Sequence, residues 1–241
     1  MGQIIHGDCL EVMKSIPSDS IDMILCDLPY GTTQCKWDTI IPFDKLWQEY
    51  ERIIKPNGAI VLTGAEPFSS LLRLSNLKLY KYDWIWDKIK GMGFLNSKKQ
   101  PMRNHENVSV FYKKQCVYNP QKTTGHVNKK SVRRSHLQTE IYGDMKKDNV
   151  YESTERFPRS IQEFSLDTQN SSLHPTQKPV ALFEYLIKTY TNKGDIVLDN
   201  CAGSGTTAIA CLNTGRDYIL IEQEKKYIDV INDRVVELYD L

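Results

Sequence analysis

Asp195-Ile-Val-Leu-Asp199-Asn-Cys-Ala-Gly203-Ser-Gly205-Thr-Thr207 runs from an apolar strand through a glycine turn into a helical pattern. Gly203 and Gly205 leave the backbone bare for a ligand, and the helix beginning at Thr206 offers unpaired N–H groups to a carboxylate or phosphate. Ala208 completes a G-x-G-x-x-A spacing. Glu222, at the end of the next apolar run Tyr218–Ile221, stands where an acid would hold ribose hydroxyls. Together these features point to an adenosine-containing ligand without separating a dinucleotide from other adenosyl compounds. No lysine follows the glycines, which excludes a P-loop.

Outward from this unit the chain alternates strands and helices. Gln3–His6, Ile21–Cys26, Ala59–Thr63, Tyr82–Trp86 and Val108–Tyr112 read as short strands. Cys9–Ser15, Phe43–Ile54, Phe68–Leu77, Pro179–Tyr190, Thr206–Leu212 and Tyr227–Leu238 read as helices, with Pro56-Asn57-Gly58 as the stop after the second. The alternation predicts an α/β fold with a doubly wound, mostly parallel sheet. The unit from Asp195 supplies strand, helix, strand, helix, and lacks the third parallel strand that a mononucleotide-binding half needs. Gln3–His6 is the candidate for it, so the two halves are expected in swapped order.

A second motif, Asp27-Leu28-Pro29-Tyr30-Gly31, follows the strand Ile21–Cys26. Ligands of doubly wound sheets bind outside the carboxyl ends of the strands, so this motif should face the crevice that holds Gly203. Pro29 fixes its own φ and keeps Leu28 extended. The Leu28 carbonyl and the Asp27 carboxylate are then two acceptors beside the flat ring of Tyr30, a set that suits a planar heterocycle bearing an NH₂ group.

Composition sets the frame. The 241 residues are 40% hydrophobic and 25% charged, as in an ordinary globular protein. No apolar run approaches the roughly 18 residues of a membrane span, and the first residues have no signal-peptide pattern, so a cytoplasmic protein without membrane attachment is expected. The six cysteines show no C-x-x-C spacing and read as buried small hydrophobes, so no metal is expected. Net charge is +1, yet Lys113–Arg159 holds 11 Lys+Arg against 5 Asp+Glu. Such a segment suits a local polyanion contact, or is a solvated loop with surplus lysines.

The two motifs together resemble the amino-methyltransferases of DNA that make N6-methyladenine or N4-methylcytosine, and among them the permuted (β) class, in which the catalytic motif precedes the cofactor motif. The likeness spans roughly Ile4–Tyr112 and Leu173–Leu238. Asp27–Tyr30 is similar to the family's D-P-P-Y, His174–Pro179 to its H-P-T-Q-K-P, and Asp199–Thr207 to its glycine loop. The resemblance implies S-adenosylmethionine as cofactor on a circularly permuted methyltransferase fold. It implies a catalytic set of Asp27, Leu28, Pro29 and Tyr30. It also implies cofactor contacts from Asp8 (at the adenine), Asp27, His174, Thr176, Lys178, Asp199, Cys201, Ala202, Gly203, Gly205, Thr206, Glu222 and Gln223. Leu28 and Asn200 replace prolines of the family pattern, and Cys201 stands where an aromatic residue is common.

Three regions are then expected: a catalytic half, 1–112; an inserted basic target-recognition segment, 113–173; and a cofactor half, 174–241. Double-stranded DNA is the expected partner, with Lys98, Lys99, Arg103, Lys129, Lys130, Arg133 and Arg134 as its contacts, and a homodimer is compatible with the sequence. The expected target is adenine, because adenine enzymes of the family tend to carry Asp at position 27 and cytosine enzymes Ser. N4-methylation of cytosine is the alternative. An NAD-dependent dehydrogenase would explain the glycine loop but not Asp27–Tyr30 or the basic segment. Methylation of RNA or of a protein glutamine also fits the pocket motif, and a DNA-binding module with a decayed site is disfavoured by the intact motifs.

Overall fold

The computed structural model describes residues 2–33, 35, 38–133, 149–166 and 177–239. Two compact units emerge, Met1–Asn119 with Ser160–Leu241, and Pro120–Arg159. The second unit is narrower than the 113–173 expected for the insert.

In the larger unit the elements are β1 (Gly2–His6), α1 (Cys9–Met13), β2 (Ile21–Cys26), α2 (Phe43–Ile53), β3 (Ile54–Gly64), α3 (Phe68–Ser75), β4 (Tyr80–Met92) and β5 (Arg103–Phe111). The smaller unit holds β6 (Lys129–Arg133) and β7 (Asn149–Ser153), an antiparallel pair. The larger unit resumes with β8 (Ile161–Glu163), α4 (Val180–Tyr190), β9 (Ile196–Asp199), α5 (Thr206–Thr214), β10 (Asp217–Glu222) and α6 (Lys225–Tyr239).

Eight strands form one sheet in the order β1-β10-β9-β2-β3-β5-β4-β8. Every pairing is parallel except the two made by β5. β1 pairs with β10 from Gly2↔Tyr218 to His6↔Glu222, so the N-terminal strand supplies the third strand that the cofactor half lacks. β9 and β2 lie side by side, β9 leading through α5 to β10 on one flank and β2 through α2 to β3 on the other. This is the point at which the winding reverses, and a crevice opens there at the strands' carboxyl ends.

Strand side chains alternate between two cores, as a sheet covered on both faces requires. Met23, Leu25, Val61 and Val197 pack with Leu182, Phe183 and Leu186 of α4. Ile24, Cys26, Ile60, Leu62 and Leu198 pack with Leu46, Trp47 and Tyr50 of α2 and Phe68 and Leu72 of α3.

The sequence reading contains neither β6 nor β7, and in the larger unit two further features differ from it. Pro56-Asn57-Gly58 does not separate helix from strand: α2 ends at Ile53 and β3 begins at Ile54. Ile21 pairs with Ile54 but Met23 with Ala59, so the extra residues bulge out of β3 and need no ladder N–H from Pro56. β8 is the other, three residues parallel to β4 at the sheet edge, too short to show a period.

Candidate active site

A cleft of about 990 Å³ opens at the carboxyl ends of β9 and β2, and both sequence motifs line it. Its size is that of a ligand-binding cleft.

On the cofactor side, the turn after β9 is braced from within. Asp199 is buried, and its Oδ1 accepts from the Cys201 N–H at 3.1 Å while the Thr207 hydroxyl donates to Oδ2. Burial pushes the Asp199 carboxyl up to about 6. Gly203 (φ 51°) and Gly205 (φ 78°) take left-handed conformations, and a Cβ on Gly205 would meet Ile231 at 2.9 Å. Glu222 accepts from Gly203 N–H and Glu224 N–H, both at 2.8 Å, and burial raises its pKa. Asp8 lines the cleft and also caps α1 by accepting from Leu10 and Glu11 N–H at 2.9 and 3.2 Å. Cys201, Ala202, Thr206 and Gln223 line the same space. Interaction with Cys201 is the largest effect lowering the pKa of Cys9.

On the substrate side, Leu28 is buried at 3% exposure and Pro29 follows it into the cleft wall. Asp27 is the hub. Its Oδ1 accepts from the Tyr30 hydroxyl at 2.6 Å and from the Thr63 hydroxyl, and its Oδ2 accepts from Lys178 Nζ at 2.7 Å. Lys178 also lies 3.4 Å from Glu106 Oε2, and Lys88 pairs with Glu106 Oε1 at 2.5 Å. Two carboxylates and two ammoniums thus alternate in one chain, with Glu106 and Lys178 buried and Asp27 and Lys88 half-buried. Burial opposes charge on Lys178, but Asp27 and Glu106 outweigh it and hold its pKa above the ordinary value. Burial likewise opposes the Glu106 carboxylate, and Lys178 and Lys88 bring its pKa below the usual value. Tyr30 stays a neutral phenol, its pKa raised by burial and then by the two carboxylates.

The Tyr30 ring stacks on Phe68 (centroids 4.9 Å apart, 25° between planes), with Lys178 Nζ 5.5 Å from its centroid. The loop after Tyr30 folds back onto Asp38, whose carboxylate accepts from the N–H groups of Gly31, Thr32 and Thr33 at 2.7–2.9 Å. The Thr206 hydroxyl donates to the Lys178 carbonyl at 3.3 Å, tying the glycine turn to the ionic chain.

The structure therefore gathers Asp8, Asp27, Leu28, Pro29, Tyr30, Lys178, Asp199, Cys201, Ala202, Gly203, Thr206 and Glu222 around one cleft. His174, Thr176 and Arg134 lie outside the described residues, and of Arg133 only the backbone, in β6, is described. Lys98 and Lys99 are exposed and are not part of the cleft lining, Arg103 lines the cleft, and Lys129 and Lys130 belong to the smaller unit. Sequence reasoning missed Thr63, Lys88, Glu106 and Gln177. Gln177 lines the cleft at 6% exposure, and among the described residues its side-chain oxygen has no hydrogen-bond partner. A buried orphan acceptor is expensive unless a ligand donor meets it.

Fold and site define a doubly wound α/β protein in which a glycine turn and the Asp27 carboxylate share one crevice. The DNA methylase family of N6/N4 methyltransferases matches residues 21–233, and the chain belongs to that family. It is 30% identical to the type II methyltransferase M.HinfI of Haemophilus influenzae, over 99% of this chain and 69% of that protein. With the type II methyltransferase M.HpaI of Haemophilus parainfluenzae it shares 29% identity over 97% of this chain and 74% of that one. The crystal structure of the M1.HpyAVI–SAM complex superposes with a TM-score of 0.66 at 26% identity, covering 97% of this chain and all of that one. The cytosine-N4-specific PvuII DNA methyltransferase shares the fold, with a TM-score of 0.68 at 16% identity over 99% and 91% of the two chains.

Proposed function

We propose that the protein transfers a methyl group from S-adenosylmethionine to the N6 amine of adenine in double-stranded DNA. The observation that carries this reading is that Asp27, with Tyr30 beside it, and Glu222, with the glycine turn, line a single cleft. The residues fit the cofactor: Gly203 lines the cleft and gives close backbone approach, Glu222 offers a carboxylate to ribose hydroxyls, and the Gln177 oxygen, without a partner among the described residues, can accept from a ligand donor. Asp8, Cys201 and Ala202 complete its walls. When bound, S-adenosylmethionine supplies an activated methyl group on a sulfonium, so the protein has only to present the amine.

The amine lies inside a duplex and its lone pair is conjugated into the ring. Extruding the base takes a few kcal/mol, and stacking on an aromatic ring returns roughly 1–3 kcal/mol. Tyr30 offers that ring, held in place by Phe68 and by its own hydroxyl bond to Asp27. Asp27 and the Leu28 carbonyl accept the amine hydrogens, which frees the nitrogen lone pair. Asp27 takes the proton released after transfer, and Lys178 and Glu106 hold Asp27 in position. Positioning of this kind supplies several kcal/mol of rate acceleration.

Adenine is favoured over cytosine by Asp27, since cytosine enzymes of this family tend to carry Ser there. The fold does not choose between them, because the PvuII enzyme is cytosine-specific on a similar one. The test is to incubate the protein with unmethylated duplex DNA and labelled S-adenosylmethionine, digest to nucleosides and separate them by mass. Label in N6-methyladenine is the expected result. Label in N4-methylcytosine overturns the adenine reading alone, and no label in DNA overturns the function.

A further inference from the structure

The hairpin between β4 and β5 carries a surface that the fold does not use. Every residue from 89 to 105 is exposed. At the tip Phe94 is 75% and Leu95 97% exposed, on a single 3₁₀ turn (Phe94–Asn96), with Ile89, Met92 and Met102 also open to solvent. Exposed large apolar side chains gathered within one hairpin and rimmed by polar groups mark an interaction site. Lys90, Lys98, Lys99 and Arg103 flank them, and no acidic residue lies between Asp87 and Glu106.

The hairpin's shape is imposed. Ile89 adopts φ 67°, a conformation that a β-branched residue rarely takes, and its N–H donates to Asp87 Oδ1 at 2.8 Å. Gly93, at φ 86°, leads into the turn. The base of the hairpin is clamped by Lys88 to Glu106 within the ionic chain of Asp27. Its stem also opens on the cleft, which Met92, Gly93, Pro101 and Arg103 line. An apolar tip flanked by cations thus extends from a stem that lines the cleft proposed to receive an extruded base.

We propose that residues 89–105 form a wedge that enters the DNA beside the target nucleotide. Phe94 and Leu95 stack into the gap that the extruded base leaves, while Lys90, Lys98, Lys99 and Arg103 hold the flanking phosphates. This rests on the function proposed above and adds how the duplex is opened. Apolar wedges that unstack a base step, with cations alongside, are an established way for proteins to deform DNA, and the charge of this hairpin favours DNA over another protein surface.

The test uses the full chain and a duplex bearing the sequence found methylated when DNA from cells expressing the protein is sequenced. Two forms of that duplex are compared, one fully paired and one with the target base mispaired. Methyl incorporation in a single turnover is measured for the wild type, for Phe94→Ser with Leu95→Ser, and for Phe94→Trp. The double variant should lose 10-fold or more on paired DNA and 3-fold or less on mispaired DNA, where extrusion is already easy. Phe94→Trp should keep the wild-type rate. Fluorescence of 2-aminopurine at the target position should fall with the double variant. An undiminished rate overturns the wedge, and so does an equal loss on both duplexes, which would make the hairpin a general contact. A wild-type dimer in sedimentation that the double variant dissolves would assign the patch to a second copy. If the wild type labels no DNA, function and wedge fail together; if it does and the double variant keeps pace, only the wedge fails.

Discussion

A carboxylate offers about four acceptor positions, and at Asp27 the Tyr30 and Thr63 hydroxyls and the Lys178 ammonium take three of them. One is left for an amine hydrogen, so its quality depends on how hard Lys178 pulls on the same group. Glu106 shares Lys178 and thereby limits that pull. Glu106→Gln removes this competition, leaves two ammoniums facing one carboxylate and tightens Lys178 on Asp27. We expect kcat to fall roughly 10–100-fold, within the range of a proton-transfer contribution, while the affinity for S-adenosylmethionine holds. Because Glu106 helps raise the Lys178 pKa, the alkaline limb of the kcat profile should also move to lower pH in this variant, and Glu106→Asp should restore part of the rate. A kcat loss with an unmoved profile would reduce Glu106 to a structural role. Asp27 and Tyr30 were legible in the sequence because the backbone constraint of Pro29 makes a contiguous motif of them. Glu106 was not, since one glutamate in an apolar strand carries no spacing signal until β5 is folded beside β3.

At the scale of elements, the β9–turn–α5 unit could be read because its strand, glycines and helix follow one another without interruption. Its internal brace could not, for one aspartate at the end of an apolar strand carries no signal of the bonds it makes to Cys201 and Thr207. Asp199 is buried, and burial carries its pKa from the ordinary 3.8 to about 6. Between those values the folded protein keeps a proton that the unfolded chain has lost. Stability therefore falls as pH rises from about 4 to about 6, and the whole penalty, on the order of 3 kcal/mol, is present at neutral pH. Asp199→Asn cannot ionise and escapes that penalty, whatever fixed cost it bears from altered bonds to Cys201 and Thr207. Thermal unfolding of variant and wild type at pH 4.5 and pH 7 should show the variant gaining relative stability at the higher pH. An identical difference at both values would mean that Asp199 titrates as an ordinary carboxylate. β8 and the bulge of β3 stayed illegible for a different reason, as both are defined by a neighbour's register rather than by their own residues.

For the whole molecule, the permuted order was legible because two incomplete halves needed each other's strand, and the pairing of β1 with β10 supplies it. The extent of the insert was blurred because polar sequence looks alike whether or not it packs. Asn119 bonds the carbonyls of Lys188 and Thr191 at the end of α4, and β8 joins the sheet edge, so both flanks belong to the larger unit. What remains, Pro120–Arg159, carries nine Lys+Arg against five Asp+Glu, and in its hairpin Lys129 and Lys130 are exposed. Lys130 pairs with Glu152 at 3.2 Å, but with side chains 67% and 50% exposed that pair is weak and a phosphate can displace it. If the unit docks on the DNA backbone, each lysine that neutralises a phosphate contributes about 0.9 to the slope of log affinity against log salt. Lys129→Gln with Lys130→Gln should then flatten the slope by about two and weaken binding to all duplexes alike, since phosphate contacts position without reading bases. Affinity measured by fluorescence anisotropy between about 50 and 200 mM salt covers the range in which that change is large. An unchanged slope would leave the pair as a solvated surface and shift phosphate binding to Lys98, Lys99 and Arg103. A loss confined to the methylated sequence would instead make these lysines base readers.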